Sequence, residues 1–280
     1  MSVDNDNQLQ QIIDECVPLL KTLTIGRCAV TVGGSRGKGT SDNLSDIDFR
    51  IFCDEIVGGS TFHLTEEWKA FSHIVDRWRT QGVYIDHCWI RTISEIDSQI
   101  KAWLSGSLQP KEMVWTLWGY HLLTDLTNQV IVDDPSGIVA SWQAQLTPYP
   151  KALQRAIIQK HMKSLTYWRH DYHYQNKVNR GDVVFLAGMA TRLVHDVIQV
   201  LFAINKTYYV GDGNNLHYVS SFAVKPENIV ERITEILYPH QANDTLTIQY
   251  EAIIALIDDI TILVTNLDGE DNSNITSKRS

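Results

Sequence analysis

Between Val32 and Phe52 two short apolar runs are separated by a glycine-rich segment that begins Gly33-Gly34-Ser35-Arg36-Gly37, and the second run opens with Asp46-Ile47-Asp48. No other stretch limits the fold as tightly. It predicts a first strand over Cys28 to Val32, a glycine turn ending in Ser35, and a second strand starting at Asp46. Side chains alternate along a strand, so Asp46 and Asp48 point the same way. Two carboxylates side by side repel unless a cation sits between them. Mg²⁺ favours oxygen ligands and is commonly shared with substrate phosphates, which makes it the expected ion. The turn ahead of the pair offers backbone N–H groups and a hydroxyl where a phosphate can sit. A P-loop is the competing motif. That pattern needs Gly-x-x-x-x-Gly-Lys-Ser/Thr. Here Val32 stands at the first glycine, and Gly39 replaces the hydroxyl.

Gly34-Ser35, about ten residues, then Asp46-Ile47-Asp48 between apolar residues resembles the signature of the DNA polymerase β-like nucleotidyltransferases. The fuller run Gly-Ser-Arg-Gly-x-Gly-Thr-x-Asp-x-x-Ser-Asp-Ile-Asp is similar to that signature in small bacterial antibiotic-modifying members and their uncharacterised relatives. In that family a third carboxylate comes from a strand beside the Asp-x-Asp strand. Gly82 to Ile90 reads as such a strand, and Asp86 lies within it among apolar residues. An unpaired carboxylate there would be costly. The resemblance therefore implies a metal set of Asp46, Asp48 and Asp86 holding one or two Mg²⁺ ions. It also implies β- and γ-phosphate contacts from Gly34, Ser35 and Arg36. His87 should face the other way.

A chain of 280 residues is expected to form two domains, with Thr147-Pro148-Tyr149-Pro150 as the boundary. No window has eighteen consecutive apolar residues, so no membrane-spanning helix is expected. The N-terminus lacks the basic and apolar regions of a secretory signal. Cys16, Cys28, Cys53 and Cys88 have no C-x-x-C spacing and read as reduced residues, which points to the cytoplasm. The net charge of −9 argues against broad nucleic-acid binding. The charge is uneven. Residues 1–147 carry 11 Lys+Arg against 19 Asp+Glu, whereas residues 151–192 carry 8 against 2.

Helical spacing is expected over Gln8 to Leu23, Thr65 to Gln81, Ser94 to Leu104 and Lys111 to Leu123. Thr65 is placed to cap the second of these. Trp103, Trp115, Trp118 and Tyr120 read mostly as core. Val130 to Val132 reads as a short strand, and Asp133-Asp134 as a solvated turn rather than a ligand pair.

From Lys151 the pattern is helical. Lys151 to Lys177 carries an apolar stripe (Leu153, Ile157, His161, Leu165, Trp168, Tyr172). Beside it runs a basic and aromatic stripe (Lys160, Lys163, Tyr167, His170, Tyr174, Lys177). The second stripe, Lys163 in particular, suits a triphosphate and base. His170 and His173 lack an evident third metal ligand. A helix is expected to start at Asn179-Arg180-Gly181-Asp182 and run to about Ala203, with Asp182 near its positive end. Arg180-Gly181-Asp182, followed by Leu201 to Tyr209, resembles the helical half of some uncharacterised nucleotidyltransferases of this type. That resemblance implies nucleotide contacts from Arg180 and Tyr208, with Asp182 as a base for the acceptor hydroxyl. Where a lysine is expected a few residues after Tyr208, the chain has Asp212-Gly213-Asn214. Pro226 to Leu237 and Asn243 to Leu267 are the last expected helices, with a disordered tail over 268–280.

The expected fold class is α+β. A nucleotidyltransferase domain with a small mixed sheet flanked by helices (1–147) precedes an α-helical bundle that binds substrate and nucleotide (148–267). The resemblance implies transfer of a nucleoside monophosphate, AMP from ATP or the equivalent from another NTP, to a hydroxyl of a small molecule such as an aminoglycoside-type antibiotic. An acidic cleft would attract such a cation. The alternatives are a toxin-like nucleotidyltransferase acting on tRNA or protein, and a silent nucleotide-binding relative.

Overall fold

The computed structural model describes residues 3–42, 45–107, 110–114, 116–240 and 244–277, and of these the side chains of 3–6, 87 and 268–277 are left aside. The chain is α+β and divides into two compact units, 1–103 with 122–148 and 104–121 with 149–280.

The first unit is built on a four-stranded sheet of order β3-β2-β1-β4, formed by β1 (Thr24–Val32), β2 (Ile47–Ile56), β3 (Ile85–Thr92) and β4 (Val130–Asp133). β1 pairs antiparallel with β2 and β4, whereas β2 and β3 are parallel. A parallel pair needs a crossover, supplied here by a 3₁₀ turn (Gly59–Leu64) and α3 (Glu66–Thr80). Thr65 caps α3 as expected, its hydroxyl accepting from the Trp68 amide. The odd positions of β2, Ile47, Phe49, Ile51 and Cys53, are fully buried. They pack with Ile12, Cys16 and Leu20 of α1 (Val3–Thr22) and with Phe71, Val75 and Trp78 of α3. Glu15 ties the two helices together by accepting from Trp78 Nε1 and Arg77. The four cysteines are buried and unpaired. Burial pushes the Cys53 thiol up to about 11 and the Cys16 thiol to about 12, which leaves both inert as nucleophiles.

Several expected boundaries move. The glycine turn after β1 is a single helical turn, α2 (Gly34–Gly37). Lys111 to Leu123 is not a helix. Lys111 bridges to Tyr120, closing a turn around Gly119, which has φ of +86°. Helix resumes only at α5 (Leu122–Asn128). Residues 104–121 fall in the second unit rather than the first, so the expected single boundary at 147/148 accounts for only one of three crossings. Asp134 is more than a turn residue. Its carboxylate accepts from the amides of Ile138, Val139 and Ala140 and so starts α6 (Ile138–Gln145), a helix the apolar spacing did not reveal. Trp103 is buried as expected, whereas Trp115 lies outside the described residues.

The second unit is helical: α7 (Lys151–His170), α8 (Tyr172–Arg180), α9 (Val183–Ile204), α10 (Asn215–Ser221), α11 (Ile229–Leu237) and α12 (Thr245–Ser277). The single helix expected over 151–177 is broken at Asp171, where the backbone is extended. The break resets the helical phase. Tyr174, expected on the basic stripe, is buried in the core, and Tyr172, expected on the apolar one, is exposed. Arg180 closes α8 instead of opening α9, because Gly181 (φ +68°) terminates the helix in the left-handed region. Proline does not open α11, which begins after Asn228. α12 continues to Ser277, past the expected end at Leu267 and through most of the expected tail; 278–280 lie outside the described residues. α9 is long and apolar enough to cross a bilayer, but over half of that span is buried. Val197, Val200, Leu201 and Phe202 of α9 form the core with Leu165, Tyr174, Ile233 and Ile257.

This core abuts a group of imidazoles. His161 Nδ1 donates to Asp196 at 2.6 Å, and both side chains are buried. His195 stacks on Trp118 at 4.1 Å, and His121 meets the edge of Tyr209 at 4.7 Å. The Asp212 carboxylate accepts from the amides of Leu117 and Trp118, which fixes the Trp118 turn. Burial, with help from Lys160 and His161, lowers His121 to about 4 and His195 to about 3. Both rings stay neutral in the fold down to those values, whereas the unfolded chain takes up protons below about 6.5. Stability from this source is therefore constant above pH 6.5. It falls with decreasing pH, by up to about 1.4 kcal/mol per pH unit for each ring. Unfolding followed by tryptophan fluorescence should show the midpoint dropping between pH 6.5 and 4, and His195→Phe, which keeps the stack and removes one proton site, should flatten that slope.

Candidate functional site

The even positions of β2, Asp48, Arg50 and Phe52, face away from the α1/α3 layer. Asp48 pairs with Asp86 across the parallel β2/β3 ladder, and Arg50 pairs with Trp89. Two steps on β2 thus match three on β3, a bulge with one extra residue. Strict alternation would have put Asp86, Cys88 and Ile90 on one face. The bulge lets Cys88 and Ile90 join the core while Asp86 turns to the side of Asp48. His87, the extra position, has no described side chain.

Carboxylate oxygens of Asp46, Asp48 and Asp86 all lie within 4.8 Å of one another. Among the described residues this is the one group of His, Cys, Asp or Glu side chains so placed, and His170 and His173 do not form another. Burial raises the Asp48 carboxyl above its ordinary range against the pull of Arg50, and Asp46 and Asp86 push it further the same way. Three hard oxygen donors crowded at a strand edge fit a divalent cation that keeps some of its water.

The turn α2 is pressed against this cluster. Gly34 has φ of +60°, and a Cβ there would lie 1.8 Å from Asp48 Oδ2. The Gly33 amide donates to the Asp48 carbonyl at 2.9 Å, continuing the ladder up to the turn. Ser35 Oγ is buried with no hydrogen-bond partner among the described residues, a hydroxyl fit to meet a ligand oxygen. Arg36 is used differently from the expectation. Its guanidinium donates to the carbonyls of Asp46 (3.0 Å) and Ser45 (3.2 Å), so it pins the loop before β2.

Four residues that the sequence left unmarked complete the cluster: Lys38, Arg50, Arg91 and Asp125. Arg50 donates to Asp48 Oδ1 and to Asp125 Oδ2, both at 3.3 Å, and Arg91 reaches the same Asp125 oxygen at 3.4 Å. Both guanidiniums pack on aromatic rings, Arg50 on Trp89 and Arg91 on Trp89 and Phe52. One carboxylate from α5 thus serves two buried cations, and one of those cations holds a member of the acidic trio. Lys38 is half-buried beside Asp125 and Asp48; burial lowers its ammonium pKa, and the two carboxylates oppose that. The only sequence signal for these four was polarity inside apolar strands (Arg50, Arg91). Nothing local linked them to Asp125.

The remaining expected site residues lie in the helical unit. Asp182 caps α9, accepting from the Phe185 amide, and pairs with Lys177 at 2.6 Å. The Lys177 hydrogen bond, then the Phe185 amide, hold its carboxyl below the usual range. Arg180 is exposed at the end of α8, Tyr208 packs on Tyr149 at 4.6 Å, and Lys163 lines a cleft between α7 and α12.

Residues 115–212, less than half of the chain, match a family described as Domain of unknown function (DUF4037). No curated protein matches the chain. The matching segment contains Asp125, the imidazole group, Arg180, Asp182 and Tyr208, and leaves out the acidic trio.

Two outcomes follow from the contacts around Asp48. Gly34→Ala forces Asp48 aside and strains the turn by about 1–2 kcal/mol, and Mn²⁺ titration should show weakened binding to a still-folded protein. Asp125→Ala removes the carboxylate that Arg50 and Arg91 share, leaves Arg50 with Asp48, and should cost up to about 3–5 kcal/mol in denaturant unfolding.

Proposed function

We propose that this chain is a Mg²⁺-dependent nucleotidyltransferase that moves a nucleoside monophosphate, AMP from ATP in the first instance, to a hydroxyl of a small molecule. The observation that carries this reading is the convergence of Asp46, Asp48 and Asp86 from two parallel strands beside a glycine turn. The trio would hold one or two Mg²⁺ ions. Bound there, Mg²⁺ supplies charge neutralisation and alignment of the phosphates. The protein's own part is to crowd three carboxylates, to fix Asp48 through Arg50, and to bring Gly34 and the Ser35 hydroxyl to where phosphate oxygens would lie. Lys38 joins Ser35 as a candidate phosphate contact, and Arg36 is assigned to holding the turn.

In the reaction the acceptor oxygen forms a bond to the α-phosphorus, the bond to the bridging oxygen of pyrophosphate breaks, and the hydroxyl proton leaves to a base. Asp182 is a weakened base, because Lys177 and the α9 terminus already stabilise its charged form. The reading assigns it to capping. A cationic acceptor suits the acidic balance of residues 1–147.

Titration calorimetry with non-hydrolysable NTP analogues tests this reading. Wild type should bind one of them only with Mg²⁺, and Asp48→Ala should weaken that binding by more than tenfold. Failure of folded wild type to bind any NTP analogue, with or without an aminoglycoside present, would overturn the proposal.

A further inference from the structure

Beside the acidic trio stands a ring that the packing of the first unit does not use. Val83 and Ile85 turn into the α1/α3 core, so Tyr84 between them faces the other side of the sheet, the side of Asp86. Tyr84 is 61% exposed, and its side chain makes no hydrogen bond or ring contact with the described residues. A single exposed aromatic ring needs no explanation by itself. This one is fixed next to the carboxylates by the ladder. Ile47 pairs with Ile85, and the Ile47 amide donates to the Tyr84 carbonyl at 2.9 Å. The same register sets Tyr84 level with Asp46, two residues ahead of Asp86.

Strand order makes the two flanks of β2 unlike. On one flank β1 runs into α2, with the Gly34 and Ser35 that the nucleotidyl-transfer reading gives to the β- and γ-phosphates. On the other flank β3 brings Asp86 and Tyr84. Strands lie about 4.8 Å apart, so the two flanks are about 10 Å from each other with the carboxylates of β2 between them. Exposure rises in the same direction: Asp48, against α2, is half-buried, and Asp86 is exposed. Transfer at the α-phosphorus is in line, so the acceptor oxygen bonds on the side opposite the one from which pyrophosphate departs. With pyrophosphate on the α2 flank, the acceptor arrives on the β3 flank. The nucleoside is joined through an oxygen that lies across this axis. We propose, resting on that reading, that Tyr84 is the platform on which the acceptor lies, and that the acceptor is a saturated sugar-type ring with one hydroxyl turned to the α-phosphorus. Such a ring has an apolar C–H face to pack on the tyrosine and a rim of hydroxyls to react. The face of an aromatic ring is the negative side of its quadrupole, so an amino group on the sugar strengthens the contact.

Calorimetry on the full chain in two stages tests the assignment. In the first, non-hydrolysable NTP analogues are titrated with Mg²⁺ into wild type and Tyr84→Ala, which should bind the preferred analogue within twofold of each other. In the second, kanamycin, built of amino-sugar rings, is titrated into each saturated complex. Tyr84→Ala should bind it about tenfold more weakly than wild type, and Tyr84→Phe, which keeps the ring face, should restore wild-type affinity. Spermine, a polyamine with no ring, should not distinguish wild type from Tyr84→Ala. Tyr84 is exposed on the sheet edge, so both variants keep the fold. If no analogue binds wild type, the nucleotidyl-transfer reading fails and takes this proposal with it. If an analogue binds, the proposal alone is overturned by absence of kanamycin binding, by wild-type kanamycin affinity in Tyr84→Ala, or by a loss of spermine equal to that of kanamycin. Weakened analogue binding in Tyr84→Ala would give the ring to the nucleobase and overturn the proposal as well.

Discussion

Three carboxylates held within 4.8 Å of each other on adjacent strands are the constraint around which the first unit is arranged. Like charges at that spacing repel, and the fold offsets part of the repulsion from below. Arg50 lies under Asp48, Asp125 lies beside Arg50, and Arg91 closes the set on the same Asp125 oxygen. The charges alternate in sign into a region lined by Trp89 and Phe52, where an isolated guanidinium would be costly to bury. α5 and α6 owe their place on this face to that layer. Trp142 of α6 meets the Phe52 ring edge-on at 5.0 Å, and Gln143 of α6 donates to the carbonyls of Leu126 and Gln129.

The parts of the structure legible in the sequence are those set by neighbours along the chain. Alternation fixed the face of Asp46 and Asp48. Thr65 announced its helix by chemistry that acts over three residues. Asp86 was legible as a carboxylate among apolar residues, but its orientation comes from a bulge in β3 that no local pattern marks. Gly34 was expected to shape a turn. That it must also lack a side chain to clear Asp48 depends on a strand thirteen residues later.

Where reading failed, a second element had overruled the local pattern. Lys111 to Leu123 has helical spacing, yet Gly119 and the Lys111–Tyr120 bridge fold it into a turn whose Trp118 is held by Asp212. The stripe from Lys160 to Lys177 assumed one continuous helix, and Asp171 ends that continuity after His170. At Asp182 the helix start was legible, and the pairing with Lys177 was not. Asp125, seventy-five residues from Arg50, could be placed only by the tertiary fold.

The route of the backbone has a consequence for how the protein is made. The acidic trio is complete once Asp86 has been synthesised, and most of the α1/α3 core by the same point. The sheet is not complete, because the chain first passes through 104–121, which belong to the other unit, before returning with α5 and β4. Until that return Arg50 and Arg91 have no Asp125, and β1 has an open edge where β4 will pair. A nascent chain halted at Trp103 would therefore carry every carboxylate of the candidate metal centre on a sheet with one bare edge, with the Asp125 contacts of Arg50 and Arg91 still unmade. The order of synthesis makes the discontinuous unit dependent on its latest-arriving segment, a dependence that a contiguous domain of the same fold would not have.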